Sequence, residues 1–377
     1  MSAERRWRIC LCGDDSLAHA LAAVLGARDE IEVRILSEQS HRWAERVHAF
    51  YLDIAEVVGR PALVTDHAGE AVPGADYVIL TGPASQHRRQ LGRVGPALSD
   101  GTWVGAFPGY GGFDWTARQV LGAEAKIFGL QRVPYVRRII SFGEAVWISG
   151  IRPTLYVASL PSTAVAAVAR DLQSMLNIPT IALPNYIAVS LSHSNPIFHP
   201  ARLYSLFKDW APGTFYDHRP QFYEDWDDRA SDLYLGCDAE IQSLCDALPC
   251  DLSGVQPLLL HYGLDRSEKL TQRIRTIRAL RDRAAPMVLT KDGYLPDLFS
   301  SYFREDIAFG LLVVRAIAEL ADVATPTMDL ILNWAQSIQG MQYLRDNRLQ
   351  LPGLTGLPLP QNFGIRTISD LISRAQA

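Results

Sequence analysis

The chain has 377 residues, 48% of them hydrophobic and 20% charged, with a formal net charge of −5. Such a length suits two globular domains with a sizeable core. The negative balance argues against nucleic acid or an anionic membrane as partner, because both need clustered Lys and Arg.

No apolar run approaches the roughly 18 to 20 residues of a membrane-spanning helix, and "MSAERRWRIC" leads into a strand without a signal-peptide core, so a cytoplasmic location is expected. Cys10 and Cys12 alternate with Ile9 and Leu11 on that strand. Cys237, Cys245 and Cys250 lack metal-ligand spacing and have no nearby His, so all five read as ordinary reduced thiols and no metal is expected.

The stretch "ICLCGDDSLAHALAAVLGA", residues 9 to 27, is an apolar strand, a turn at Gly13 and a helix with Leu17, Leu21, Val24 and Leu25 on one face. It opens like a dinucleotide-binding βαβ unit, yet the G-x-G-x-x-G/A pattern is filled by Gly13, Asp14, Asp15, Ser16, Leu17 and Ala18. Gly13 suits the tight turn and Ala18 the close helix packing. Two carboxylates at an anion-attracting helix N-terminus predict repulsion of a pyrophosphate and weakened binding of NAD or NADP.

Further strands follow at 32–36 ("EVRIL"), 75–82 ("ADYVILTG", ending in Gly82-Pro83), 102–113 ("TWVGAFPGYGGF", with Pro108-Gly109 in its turn) and 126–130 ("KIFGL"). Strands alternating with helices predict an α/β fold, a Rossmann-type doubly wound parallel sheet over residues 1–183, with ligands at the carboxyl ends of its strands. Glu38, about 20 residues past the first turn, stands where an acid binds the adenosine ribose of NAD. Arg42 and His41 nearby suit a 2′-phosphate instead, and the choice stays open. The basic run "RRQLGR" from Arg88 reads as a solvated helix face.

From about Pro184 long helical patterns dominate: "ARLYSLFKDW", "DDRASDLYLGCDAEIQSLCDAL", "SEKLTQRIRTIRALRDR" and "EDIAFGLLVVRAIAELA". They predict a mostly α-helical domain over 184–377, with the active site in the cleft between the halves. "SHSNPIFHPARL" carries His193, Asn195 and His199 around two prolines at a helix opening. Asn195 as a cap and His199 as a structural histidine is the plain reading. Glu305 and Asp306 start a strongly apolar helix, where capping alone explains them, but a His paired with a buried carboxylate is also the usual apparatus for moving a proton near neutral pH. "YEDWDDRASD" reads as an acidic, solvated helix start, and "TPTMD" as a helix entry.

The segments "CGDDSLAHALA", "LQRVPYVRRIISFGEAVWISG", "SNPIFHPARLYSLFKDW" and "YFREDIAFGL…TPTMD", in this order, resemble the octopine/nopaline (opine) dehydrogenase family. The resemblance implies NAD(P)H-dependent reductive condensation of an amino acid or other amine with an α-keto acid through an imine. It makes His199 the acid/base, Asp306 the carboxylate that orients it, Asn195 a polar substrate contact and Gln131 a further one. Small-molecule amine and keto-acid partners follow, and a homodimer is among the assemblies left open.

This chain departs from the family pattern twice. C-G-G-G-N is replaced by Cys12-Gly13-Asp14-Asp15-Ser16, and Ser301 stands where relatives commonly carry a carboxylate-clamping Arg five residues before the Asp of the pair. Arg304 or Arg137 is the expected substitute clamp. Two other readings remain at this level: a relative with impaired NAD(P) binding that runs a non-redox amine/carbonyl reaction, and a non-catalytic binding protein.

Overall fold

A computed structural model describes residues 6–51, 56–192 and 194–376. The chain forms two compact units, Met1–Val189 with Ala375–Ala377, and Ser190–Arg374.

The first unit contains β1 (Trp7–Cys12), β2 (Ile31–Leu36), β3 (Val47–Tyr51), β4 (Val57–Gly59), β5 (Leu63–Thr65), β6 (Tyr77–Leu80), β7 (Trp103–Ala106), β8 (Ile127–Leu130), β9 (Tyr135–Ser141), β10 (Ala145–Ile151), β11 (Leu155–Leu160) and β12 (Thr180–Ala182). Eight of them form one sheet in the order β12-β11-β8-β7-β6-β1-β2-β5. All its neighbours run parallel except β8 and β11. β6 and β8 are buried at every position, as strands covered on both faces require. The chain fills β1, β2 and β5 in one direction and β6, β7 and β8 in the other, so the order reverses between β1 and β6. That reversal opens a crevice at the strands' carboxyl ends.

A second sheet, β4-β3-β10-β9, was not foreseen from the sequence. Its strands are two-faced: β9 alternates half-buried and exposed positions after Tyr135, a pattern diluted by Arg137 and Arg138. The helix Ser16–Gly26 follows β1 directly and buries Leu17, Leu21 and Leu25, as its 3.6-residue spacing requires.

The second unit is built on helices Asn195–Phe207, Asp228–Ala247, Leu312–Leu320 and Pro326–Gln339, with two short hairpins at Met287–Pro296 and Leu344–Leu349. Residues 267–283 were expected to be one helix. Instead a helical turn at Leu270–Arg275 sits between 3₁₀ turns. Like charges at helical spacing (Lys269/Arg273, Arg275/Arg278) oppose a longer helix, and the Thr276 hydroxyl donates back to Gln272 and Arg273 carbonyls.

Glu305 and Asp306 do stand before the apolar helical stretch, with Asp306 at its cap, but its first turn is not α-helical. A short helix, Ser301–Arg304, precedes them, and Ile307–Leu311 forms a wide π turn closed by the Leu311 N–H on the Asp306 carbonyl at 2.8 Å. No helix among the described residues is long and apolar enough to cross a membrane.

Candidate active site

The first turn keeps the shape of a phosphate cradle while changing its charge. Gly13 has φ +146°, and a Cβ there would lie 2.3 Å from Thr81 Oγ1 beyond β6, so only glycine fits where the ends of β1 and β6 meet. Asp14 turns toward the end of β2. Its carboxylate accepts from the Ser37 hydroxyl, from the Glu38 N–H at 3.2 Å and from the Trp43 indole N–H at 3.4 Å.

Asp15 stays at the helix N-terminus as its cap. One oxygen accepts the Ala18 N–H at 3.0 Å, and the other lies 3.4 Å from Arg137 on β9. Buried His19, stacked on Trp43, donates from Nδ1 to the Asp15 carbonyl at 2.8 Å and accepts the Gly143 N–H on Nε2 at 2.7 Å. Burial lowers the His19 pKa, which keeps the ring neutral in the role those two bonds assign it. The turn between β9 and β10 is thereby tied to the helix that carries the first turn.

A cavity of about 310 Å³ opens here, walled by Gly13, Asp14, Asp15, Glu38, Gly82 and Pro83, with Arg89 and Arg93 from the helix His87–Val94. Glu38 pairs with both arginines, with Arg93 at 3.1 Å. The basic run expected as a solvated helix face is exposed at Arg88 and Arg89, and its Arg89 and Arg93 also line the cavity.

These residues fit a dinucleotide. The cavity sits at the reversal of strand order, an acid, Glu38, lies just beyond β2, and only glycine fits the first turn. Of the two carboxylates expected to oppose a pyrophosphate, Asp14 is drawn off by donors after β2, and Asp15 stays at the helix N-terminus with Arg137 beside it.

Other residues expected at the cofactor lie off this wall. Ser16 begins the helix, and Leu17 and Ala18 are buried behind it. The Arg42 guanidinium lies 4.1 Å over the Phe142 ring and bonds Gln39. Pro108 and Gly109 follow β7, where the Gly109 N–H bonds the Leu130 carbonyl at 2.8 Å and its own carbonyl accepts from Tyr186 at 3.2 Å.

In the second unit, the helix Asn195–Phe207 starts with Ser194 at its cap and Pro196 in its first turn, where the N–H that proline lacks has no helical partner to lose. Gly310 lies against that turn: a Cβ at 310 would stand 2.9 Å from Pro196 Cα. The close approach brings the turn of His199 to that of Asp306. His199 Nδ1 lies 2.7 Å from Asp306 Oδ2, with the two residues 7% and 6% exposed.

Burial raises the Asp306 pKa, and His199 opposes the rise. Both partners come from the same unit. The active site was expected in the cleft between the halves, but these two partners meet within one unit.

Sequence reasoning missed Tyr223. Its hydroxyl lies 2.8 Å from His199 Nε2, and the residue is 5% exposed. Arg202, three residues past His199 on the same helix, holds it there. The guanidinium donates to the Phe222 carbonyl at 2.9 Å, the Asp225 carbonyl at 2.6 Å and the Asp227 carboxylate at 2.9 Å. The segment read as a solvated acidic start is thus pinned against the histidine. Its signal was the aromatic content of "FYEDW", which a solvated turn does not need. Tyr302 packs on His199 with ring centroids 4.5 Å apart. Burial raises both phenol pKa values, and the positive charge of Arg283 acts against the rise in each.

Asn195 is half-buried, four residues before His199. Ser301 is exposed at the first position of its short helix. The Arg304 guanidinium lies 5.5 Å over the Phe299 ring, and Arg137 lies 3.4 Å from the Asp15 carboxylate. Gln131 is in the first unit, buried, and donates to the Ala188 carbonyl at 2.7 Å. His193 lies outside the described residues.

Residues 182–339 match the family "NAD/NADP octopine/nopaline dehydrogenase, alpha-helical domain". The chain is 27% identical over 394 residues to octopine dehydrogenase of Pecten maximus, covering 97% of this chain and 98% of that one. It is 30% identical over 364 residues to the uncharacterized protein y4xO of Sinorhizobium fredii, covering 88% and 95%. The chain belongs to the opine dehydrogenase family.

As an opine dehydrogenase it is an oxidoreductase acting on a CH–NH bond, with NAD or NADP as cofactor. Solved octopine dehydrogenase structures superpose on it, one with NADH and L-arginine (TM-score 0.85, 26% identity) and one with NADH and pyruvate (TM-score 0.84, 27% identity). Each covers 97% of this chain and 98% of the other. The readings as a non-redox relative or a non-catalytic binding protein are not favoured.

Proposed function

We propose that this opine dehydrogenase joins the amino group of an amino acid or other amine to an α-keto acid, with His199 as general acid/base and Asp306 as the carboxylate that orients it. The observation that carries the reading is the buried pair at 2.7 Å. A carboxylate only accepts, so with Asp306 ionised the His199 proton sits on Nδ1 and the lone pair on Nε2. That is the tautomer a base needs.

An amine arrives as an ammonium ion, which has no lone pair to attack a ketone. Removing its proton makes the nucleophile and leaves an imidazolium, whose charge Asp306 stabilises in a site of low dielectric. The same proton, returned to the hydroxyl of the addition product, lets it leave as water and gives the C=N bond. The bound dinucleotide supplies the hydride that reduces that bond. Glu38, Gly13 and the N-terminus of the helix Ser16–Gly26 would hold the dinucleotide, with Arg137 offsetting the Asp15 charge. Arg304 lies over the Phe299 ring and Arg137 faces Asp15, which argues against either as the clamp for the substrate carboxylates. Arg283, whose charge acts on Tyr223 and Tyr302, is the candidate.

The test is NADH oxidation with a panel of amino acids and α-keto acids, in the unmodified chain and in His199→Ala. The variant should lose roughly 10²- to 10⁴-fold in kcat while binding NADH as before. Turnover retained within a few fold would return His199 to a structural role. Pyruvate should be a poor acceptor that improves in Ser301→Arg; unchanged pyruvate kinetics would show that another cation already holds its carboxylate.

A further inference from the structure

Both nitrogens of His199 are already engaged. Nδ1 faces Asp306 at 2.7 Å, and Nε2, which must carry the lone pair, lies 2.8 Å from the Tyr223 hydroxyl. With Nε2 as acceptor, the phenol O–H is the donor; the Tyr302 hydroxyl is a further hydrogen-bond partner of Tyr223, and the charges of Arg283 and Asp306 act on it. The arrangement is built rather than incidental. The Tyr223 ring stacks on Phe198, whose centroid is 5.4 Å away, and Phe198 stacks in turn on Trp226 at 4.8 Å. Arg202 grips the chain on both sides of Tyr223 through the Phe222 and Asp225 carbonyls. One helix therefore supplies the histidine, the ring that backs the tyrosine and the guanidinium that fixes its backbone.

We propose that Tyr223 is a catalytic residue: its hydroxyl exchanges the proton with the substrate and relays it to and from His199. This rests on the acid/base reading of His199. In the forward direction the substrate ammonium gives a proton to Tyr223 Oη while the Tyr223 O–H proton passes to His199 Nε2. The amine becomes neutral, the phenol stays neutral throughout, and the positive charge moves to the imidazolium beside Asp306. When the hydroxyl of the addition product leaves as water, both transfers run in reverse. No charge is stranded on the tyrosine, consistent with burial, which disfavours a phenolate there.

The experiment compares Tyr223→Phe, 3,5-difluorotyrosine at position 223 and His199→Ala, each checked for NADH binding and thermal midpoint. Tyr223→Phe keeps the stacked ring and should lose roughly 10²- to 10⁴-fold in kcat, as expected for removal of a positioned proton-transfer group. The fluorinated phenol is nearly isosteric but more acidic, so the alkaline limb of the kcat profile should move to lower pH. Tyr223→Phe turnover within threefold of the unmodified chain, or a fluorotyrosine profile that does not move, would overturn the relay and leave Tyr223 a shield over a histidine that acts directly. Turnover surviving in His199→Ala would instead overturn the underlying reading, so the two failures are distinguishable.

Discussion

His199 and Asp306, 107 residues apart in the chain, meet at 2.7 Å within one unit, and the wide π turn that begins after Asp306 is part of how they meet. Such turns recur at functional sites because they redirect a side chain without ending the helix. Burial raises the Asp306 pKa above the usual carboxylate value. As pH falls through that raised pKa, Asp306 takes up a proton and ceases to stabilise the imidazolium. Activity should therefore fall on the acid side at a higher pH than an exposed carboxylate would dictate. Asp306→Asn should show a low kcat that no longer carries this limb, measured as a kcat profile against pH.

The first turn predicts different outcomes for its two carboxylates. Asp14 is bound by Ser37, Glu38 and Trp43, so Asp14→Gly removes ties rather than repulsion and should not improve NADH affinity. Asp15 remains at the helix N-terminus, where a charge about 4 Å from a phosphate costs roughly 1 kcal/mol in water and about 4 at the effective dielectric of a protein surface. Replacing an Asp cap by glycine costs only about a few tenths of a kcal/mol. Asp15→Gly should therefore tighten NADH binding about tenfold or more, read by equilibrium titration of both variants.

Gly310 is the contact point between the two helical segments that carry the pair. In Gly310→Ala the new Cβ, 2.9 Å from Pro196 Cα, must push backbone apart. Overpacking of this kind costs about 1 to 3 kcal/mol, and the displacement falls between His199 and Asp306. Denaturant unfolding should show the loss in stability. Activity should fall by more than stability predicts, because proton transfer needs hydrogen-bond distance.

Asp114, in the first turn of the helix Phe113–Leu121, is pushed by burial to a pKa of about 7. The folded state then holds a proton that the unfolded chain releases near the ordinary carboxylate value. This stability is fully present at acid pH and is lost as pH rises toward and through about 7. Buried His87, lowered to about 4, runs the other way and loses stability as pH falls from its ordinary value toward 4. The unmodified chain mixes both trends, so the informative quantity is a difference. Asp114→Asn should gain stability over the unmodified chain above pH 7, by at most about 4 kcal/mol from roughly three pKa units. It should gain little near pH 4. Thermal midpoints across that range test it.

The strand, turn and helix at the start, the alternation that makes the parallel sheet and the change to helices after it were legible because each is a local pattern, of period 2 or 3.6, written in consecutive residues. The His199 and Asp306 pair was legible because four segments in fixed order resemble a family in which they meet. The strands β3, β4, β9 and β10 were not, since half-exposed strands carry weak patterns and owe their pairing to distant partners. Nor could the sequence say which way Asp14 points, that Arg89 and Arg93 reach Glu38, or that Tyr223 covers His199. These depend on where a side chain finds a donor or acceptor 24 to 55 residues away. Local periodicity sets which face of an element is buried, but the partner each polar group finds there is set by the packing of elements remote in the chain, and on those partners the chemistry of this site depends.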